Sequence, residues 1–106
     1  SSDLAAIQAA ISVGAKKLIN LSNIDYVYDK DPKKHSDAIK IEKSSWADFR
    51  KLLPAEWEPG LNAPFDPIAA KQAEFSGIEV NILNGKNILN LEKCLNGEKF
   101  QGTVIS

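Results

Sequence analysis

The chain has 106 residues, enough for one domain with one modest core. It is 43% hydrophobic and 25% charged, with 13 basic against 14 acidic residues and a net charge of −1. That is ordinary globular composition, and the charge balance argues against a nucleic-acid polymer as partner. No apolar run approaches the ~20 residues of a membrane-spanning helix, and no signal peptide is visible.

In chain order, Ser2 is placed to cap a first helix, with Asp3 in its first turn and Leu4, Ile7, Ile11 and Ala15 at helical spacing. Gly14 lies near its end. Leu18 to Leu21 reads as a buried strand. An irregular excursion follows from Ser22 to about Lys43, where Ile39 and Ile41 alternate with lysines as a short half-buried strand. Ser45 opens a second helix through Trp46, Phe49 and Leu53, with Asp48 three residues on as a loose capping box and Pro54 as its stop. The segment AEWEPGLNAP is a loop. Asp66-Pro67 starts a third helix that runs to Phe75 or Ser76 and ends at Gly77.

Ile78 to Leu83 is a second strand, and Asn84-Gly85 turns the chain. Asn87 caps a fourth helix through Ile88, Leu91 and Leu95, closed by Asn96-Gly97. Gly102 to Ile105 is a third strand. Helices alternating with strands argue for an α/β fold with a parallel sheet covered by helices. Ligands bind such sheets beyond the carboxyl ends of the strands. The stretch SNIDYVYDKDP, Ser22 to Pro32, sits there, which favours a ligand rim over a surface hairpin.

That stretch carries groups suited to a nucleotide. Ser22 and Asn23 are hydrogen-bonding groups, Tyr26 and Tyr28 are flat walls, Asp25 and Asp31 can accept ribose hydroxyls, and Lys30 is a cation. No GxxxxGK[ST], GxGxxG, HExxH, CxxC or GxSxG occurs. His35 lies in the charged loop KKHSD and reads as solvated, and Cys94 reads as core rather than reactive. A single cysteine cannot form an internal disulfide, so a cytoplasmic setting is expected. The absence of methionine reads as a fragment or a processed product.

The strand followed by SNIDYVYDKDPKKHSDAIKIEK resembles the "TNVDGVY..DPKK.P.AK" segment of the amino acid kinase superfamily, and within it the archaeal type of uridylate (UMP) kinase. SSDLAAIQAAISVGAKKLINL is similar to that family's "TD..AA.LA..L.AD.LI..T" helix and strand. APFDPIAAKQAEFSGIEVNILNG resembles its "..DPLAAKI...SGI...V.NG" segment, and NILNLEKCLNGEKFQGTVI its last helix and terminal "G..GT.I" strand. The order is kept along nearly all of the chain.

The resemblance implies a three-layer αβα sandwich with a mainly parallel sheet, of which residues 1–106 would be the C-terminal, nucleotide-binding half and a single domain. It implies ATP contacts at Ser22 (threonine in most relatives), Asn23, Asp25, Tyr28, Asp31 and Asp66. Ser2 and Asp3 fall on the acceptor side, with Asp3 as the catalytic candidate, and Lys71 matches a lysine whose role stays open against a solvated one. Mg²⁺ is the implied cofactor, with UMP and ATP as substrates and a homo-oligomer as the parent assembly. The metal ligands are not assigned. Phosphoryl transfer is chiefly positioning and charge neutralisation, and the first glycine-rich loop and its lysine belong to the other half. This chain alone is therefore expected not to transfer phosphate at a useful rate.

One departure stands out: Tyr26 occupies the motif's glycine position, where close approach of a ligand or a special backbone is common. Three readings follow. The chain belongs to a kinase making UDP from UMP for pyrimidine nucleotide synthesis. Or it belongs to a relative acting on acetylglutamate, aspartate, carbamate or isopentenyl phosphate. Or it is a non-catalytic nucleotide- or oxyanion-binding relative.

Overall fold

The computed structural model describes residues 2–53 and 64–106. The expected loop from 55 to 64 lies outside them except for Pro64, as does the expected helix stop at Pro54. Helix α1 spans Ser2–Val13, and strand β1 spans Lys17–Ser22. The excursion holds β2 (Val27–Tyr28), β3 (Lys40–Ile41) and β4 (Lys43–Ser44). Then come α2 (Trp46–Leu52), α3 (Pro67–Ser76), β5 (Glu79–Asn84), α4 (Ile88–Leu95) and β6 (Thr103–Ile105). Among the described residues, no helix is long and apolar enough to cross a membrane.

Local chemistry sets most helix ends. Ser45 Oγ accepts the Asp48 N–H at 3.1 Å, which starts α2. Asp66 Oδ1 accepts the N–H groups of Ile68 (2.7 Å) and Ala69 (3.3 Å), with Pro67 next in line, and Gly77 closes α3 at φ 67°. Asn87 Oδ1 accepts the Asn90 N–H at 3.1 Å. The expectation for Ser2 is corrected: it stands inside the first turn of α1, not at the cap.

The main sheet runs β1-β5-β6-β4. Strands β1 and β5 are parallel, as are β4 and β6, but β5 and β6 are antiparallel, so the sheet is mixed though mainly parallel. The reason lies in α4, which at about 12 Å is too short to carry the chain back past β5. The segment after it instead folds beside the helix: Asn90 Nδ2 donates to the Gln101 carbonyl and Asn90 Oδ1 accepts the Gln101 N–H, both at 2.7 Å. Strand β6 thus enters near the carboxyl end of β5, pairing Thr103 with Ile82 and Ile105 with Val80.

Alternation along β5 sends Val80 and Ile82 into a core with Ile7 of α1, Phe49 of α2 and Ala70 of α3. Asn81 and Leu83 point the other way, where Asn81 Nδ2 meets Cys94 Sγ of α4 at 3.6 Å. Trp46 anchors the first side, with its ring centroid 5.9 Å from that of Phe49 and 5.8 Å from that of Phe65. Its Nε1–H donates to the Ile78 carbonyl at 2.7 Å. Arg50 pairs with Glu74, joining α2 to α3.

One burial expectation is corrected. Leu18 to Leu21 is not a buried strand: β1 is an edge of the sheet and Leu21 is 51% exposed. On α4 the apolar stripe faces outward, with Ile88 and Leu95 exposed, because Asn90 and Cys94 take the inner face. Ile11 on α1 is likewise exposed, while Ile7 and Ala10 are buried.

The loop between β2 and β3 is closed by Asp29 and Ile39, which exchange backbone and side-chain bonds of 3.0 and 2.8 Å. Beyond it Lys30 Nζ lies 3.0 Å from Asp37 Oδ2, and this hydrogen bond and charge hold the Asp37 carboxyl below its ordinary value. A depressed carboxylate contributes stability at neutral pH that is lost as pH falls through its folded-state value, and for an exposed pair the contribution is small. Lys30→Gln is expected to move the Asp37 titration midpoint upward in carbon-detected NMR. An unchanged midpoint would show that the ammonium does not set it.

Candidate functional site

Strands β1 and β5 end side by side, with Ser22 opposite Asn84. The Gly85 N–H donates to the Ser22 carbonyl at 2.9 Å, which keeps the two carboxyl ends level. Asn84 Nδ2 donates to Asp25 Oδ1 at 3.1 Å, while Asn84 Oδ1 accepts the Lys86 N–H at 2.9 Å. Asp25 is thereby held over the end of β5.

The ribbon β2–β3 is fixed from below by one buried hydroxyl. Thr103 Oγ1 accepts the Val27 N–H at 2.9 Å and donates to the Ile41 carbonyl at 2.5 Å. Further out, Asp31 makes its own turn: Oδ1 accepts the Lys33 N–H at 2.9 Å, and its carbonyl accepts the N–H groups of Lys34 and His35. Together these elements enclose a cavity of about 440 Å³. Its walls include Ser22, Asn23, Asp25, Tyr26, Tyr28 and Asp31, with Lys33 and Pro64 at its margin. The volume suits a small organic ligand, and the lining combines two phenol rings with two carboxylates, an amide and a hydroxyl.

A second constellation lies at the start of α1. Asp3 Oδ1 accepts from Asn20 Nδ2 at 3.2 Å, and Asp3 Oδ2 accepts the Asp66 N–H at 3.0 Å. Asp3 thus ties β1 to the head of α3, and the Asp66 carboxylate caps that helix. Neither acid lines the cavity, and Ser2 and Lys71 are exposed away from it. His35 is exposed and Cys94 is buried, as their surroundings in the sequence indicate.

Sequence reasoning missed Asn84, Asn20 and Thr103. Each acts by gripping a distant residue, and no local spacing announces that. It also missed Pro64 at the cavity margin.

Residues 1–84 match the amino acid kinase family. The chain belongs to that family. Within the family it is 35% identical to the uridylate kinase of Methanobrevibacter smithii over 107 residues, covering 100% of this chain and 48% of that protein. It is 38% identical to the uridylate kinase of Staphylothermus marinus over 105 residues, covering 99% and 46%. The crystal structure of uridylate kinase from Archaeoglobus fulgidus superposes with a TM-score of 0.76 at 32% identity, covering 98% of this chain and 46% of that one. The chain thus spans about half the length of the relatives it matches.

Proposed function

We propose that this chain is the C-terminal, ATP-binding half of a UMP kinase with the three-layer αβα sandwich of its family. The whole protein would transfer the γ-phosphoryl of ATP to UMP, making UDP for pyrimidine nucleotide synthesis in the cytoplasm as a homo-oligomer. The observation that carries this reading is the convergence of Ser22, Asn23, Asp25, Tyr28 and Asp31 on one cavity at the carboxyl end of β1. The similarity to uridylate kinases along the whole chain supports it.

In this reading Tyr28 supplies a wall for the adenine, and Ser22 and Asn23 hydrogen-bond the nucleotide. Asp31 accepts from a ribose hydroxyl, and its own turn fixes the direction in which it points. The residues fit Mg²⁺ as well. Magnesium is held by one or two carboxylates together with the phosphates, not by an all-protein cage. With Asp31 given to the ribose, Asp25 is the cavity carboxylate that would hold the ion. When bound, the ion neutralises charge on the phosphates. The acceptor side belongs to Ser2 and Asp3. Asp3 acts there as a positioning group, since both its oxygens already hold Asn20 and Asp66.

Calorimetry of this chain with ATP and Mg²⁺ tests the proposal. Saturable binding is expected, weakened about tenfold in Asp31→Ala, the loss of one charge-assisted hydrogen bond. Equal affinity in the two proteins would remove Asp31 from the site.

One observation favours a non-catalytic nucleotide-binding relative as a second reading. Tyr26, at the family's glycine position, forms part of the cavity wall, and Lys40 Nζ sits 4.6 Å from its ring centroid. If the ring crowds the nucleotide, Tyr26→Gly tightens ATP binding. Unchanged affinity would remove crowding as a basis for the second reading.

A further inference from the structure

A second cavity, of about 520 Å³, lies on the side of the sheet that carries α4. Tyr26 belongs to its wall as well, so the two cavities share one side chain. Lys93 and Lys99 line it, together with Phe100, Glu42 and the amide-bearing Asn87 and Gln101. Among the described residues neither Lys93 nor Lys99 forms an ion pair with a carboxylate. The one acid, Glu42, lies 3.6 Å from Lys40, whose ammonium also rests on the Tyr26 ring. Among the residues that line the cavity, two lysines thus stand against one glutamate.

Lys93 stands in the last turn of α4, where a cation also complements the helix dipole. Lys99 has no such role: it lies on the segment that Asn90 clamps through Gln101. That clamp holds the two ammonium-bearing segments in fixed relation before any ligand arrives, and preorganisation of this kind lowers the cost of binding. An excess of positive charge beside two aromatic rings calls for a polyanion bearing a flat ring.

We propose that this cavity is a second binding site, for a nucleoside polyphosphate, with the phosphates on Lys93 and Lys99 and the base against Phe100. It is separate from the ATP site proposed above and does not depend on it. The test is a backbone NMR titration in the Asp31→Ala background, with ATP, GTP, UTP, CTP and inorganic tripolyphosphate as probes. At least one nucleotide is expected to shift the amides of Lys93 to Gln101 saturably and more tightly than tripolyphosphate does. Lys93→Gln/Lys99→Gln is expected to weaken that binding at least about tenfold, the loss of one charge-assisted hydrogen bond or more. Both lysines are exposed, so the double variant is expected to fold, and its unbound spectrum checks that. Unchanged affinity in the double variant would overturn the site, as would shifts confined to Ser22 to Asp31. Tripolyphosphate binding as tightly as every nucleotide would overturn the contact with the base.

Discussion

Gly102→Ala is expected to lower the unfolding free energy by about 3 kcal/mol, at the upper end of what overpacking costs. A Cβ at this position would stand 2.6 Å from the Ile82 carbonyl oxygen and 2.8 Å from Phe100 Cε2. The first neighbour is the backbone of the central strand β5 and cannot step aside. The antiparallel β5–β6 pairing begins at the next residue, so relief would have to come from opening that pairing. Thr103 would move with it, and with Thr103 the hydroxyl that holds Val27 and Ile41. The substitution should therefore loosen the cavity beyond β1 as well as the sheet. Urea denaturation measures the loss, and a change below about 1 kcal/mol would show that β6 shifts without cost.

Trp46→Ala is the second large expected effect, at about 3–5 kcal/mol. Trp46 is buried where α2 meets Phe65 and the start of β5, and it combines ring packing with a hydrogen bond to the Ile78 carbonyl. Removing it opens a cavity and orphans that oxygen. Trp46→Phe separates the two contributions, since it keeps much of the ring volume and loses only the donor. It is expected to cost about 1–3 kcal/mol, the penalty of a buried acceptor left without a partner. If the two variants were equally destabilised, packing would count for nothing here. Against a total stability of about 5–15 kcal/mol, Trp46→Ala leaves a marginal protein.

These two residues also show what was legible in the sequence. Trp46, with Phe49 and Leu53, announces a buried helix face by spacing, and Ser45, Asp66, Gly77 and Asn87 mark helix ends, because capping is local chemistry. Gly102 announces nothing: its necessity comes from a carbonyl twenty residues away in the chain. The antiparallel entry of β6 was hidden for the same reason, since it depends on Asn90 gripping Gln101. On α4, Ile88 and Leu95 are apolar yet exposed, because Asn90, which satisfies two backbone groups, takes the inner face with Cys94.

The candidate site divides along the same line. Ser22, Asn23, Asp25, Tyr28 and Asp31 lie within ten residues of one another, so a single turn out of the sheet brings them to one cavity. Asp3 and Asp66 are 63 residues apart, and only the fold shows that one receives the other's backbone N–H. Their grouping with the expected nucleotide contacts came from resemblance; the geometry makes of them a separate brace between β1 and α3.

Whether the cavity beyond β1 takes an adenine nucleotide, as proposed above, is decided by a backbone NMR titration of the unmodified chain with a non-hydrolysable ATP analogue and Mg²⁺. Saturable shifts are expected at Ser22, Asn23, Tyr28 and Asp31. No saturable shift at these residues, in a chain whose spectrum shows it folded, would contradict that proposal.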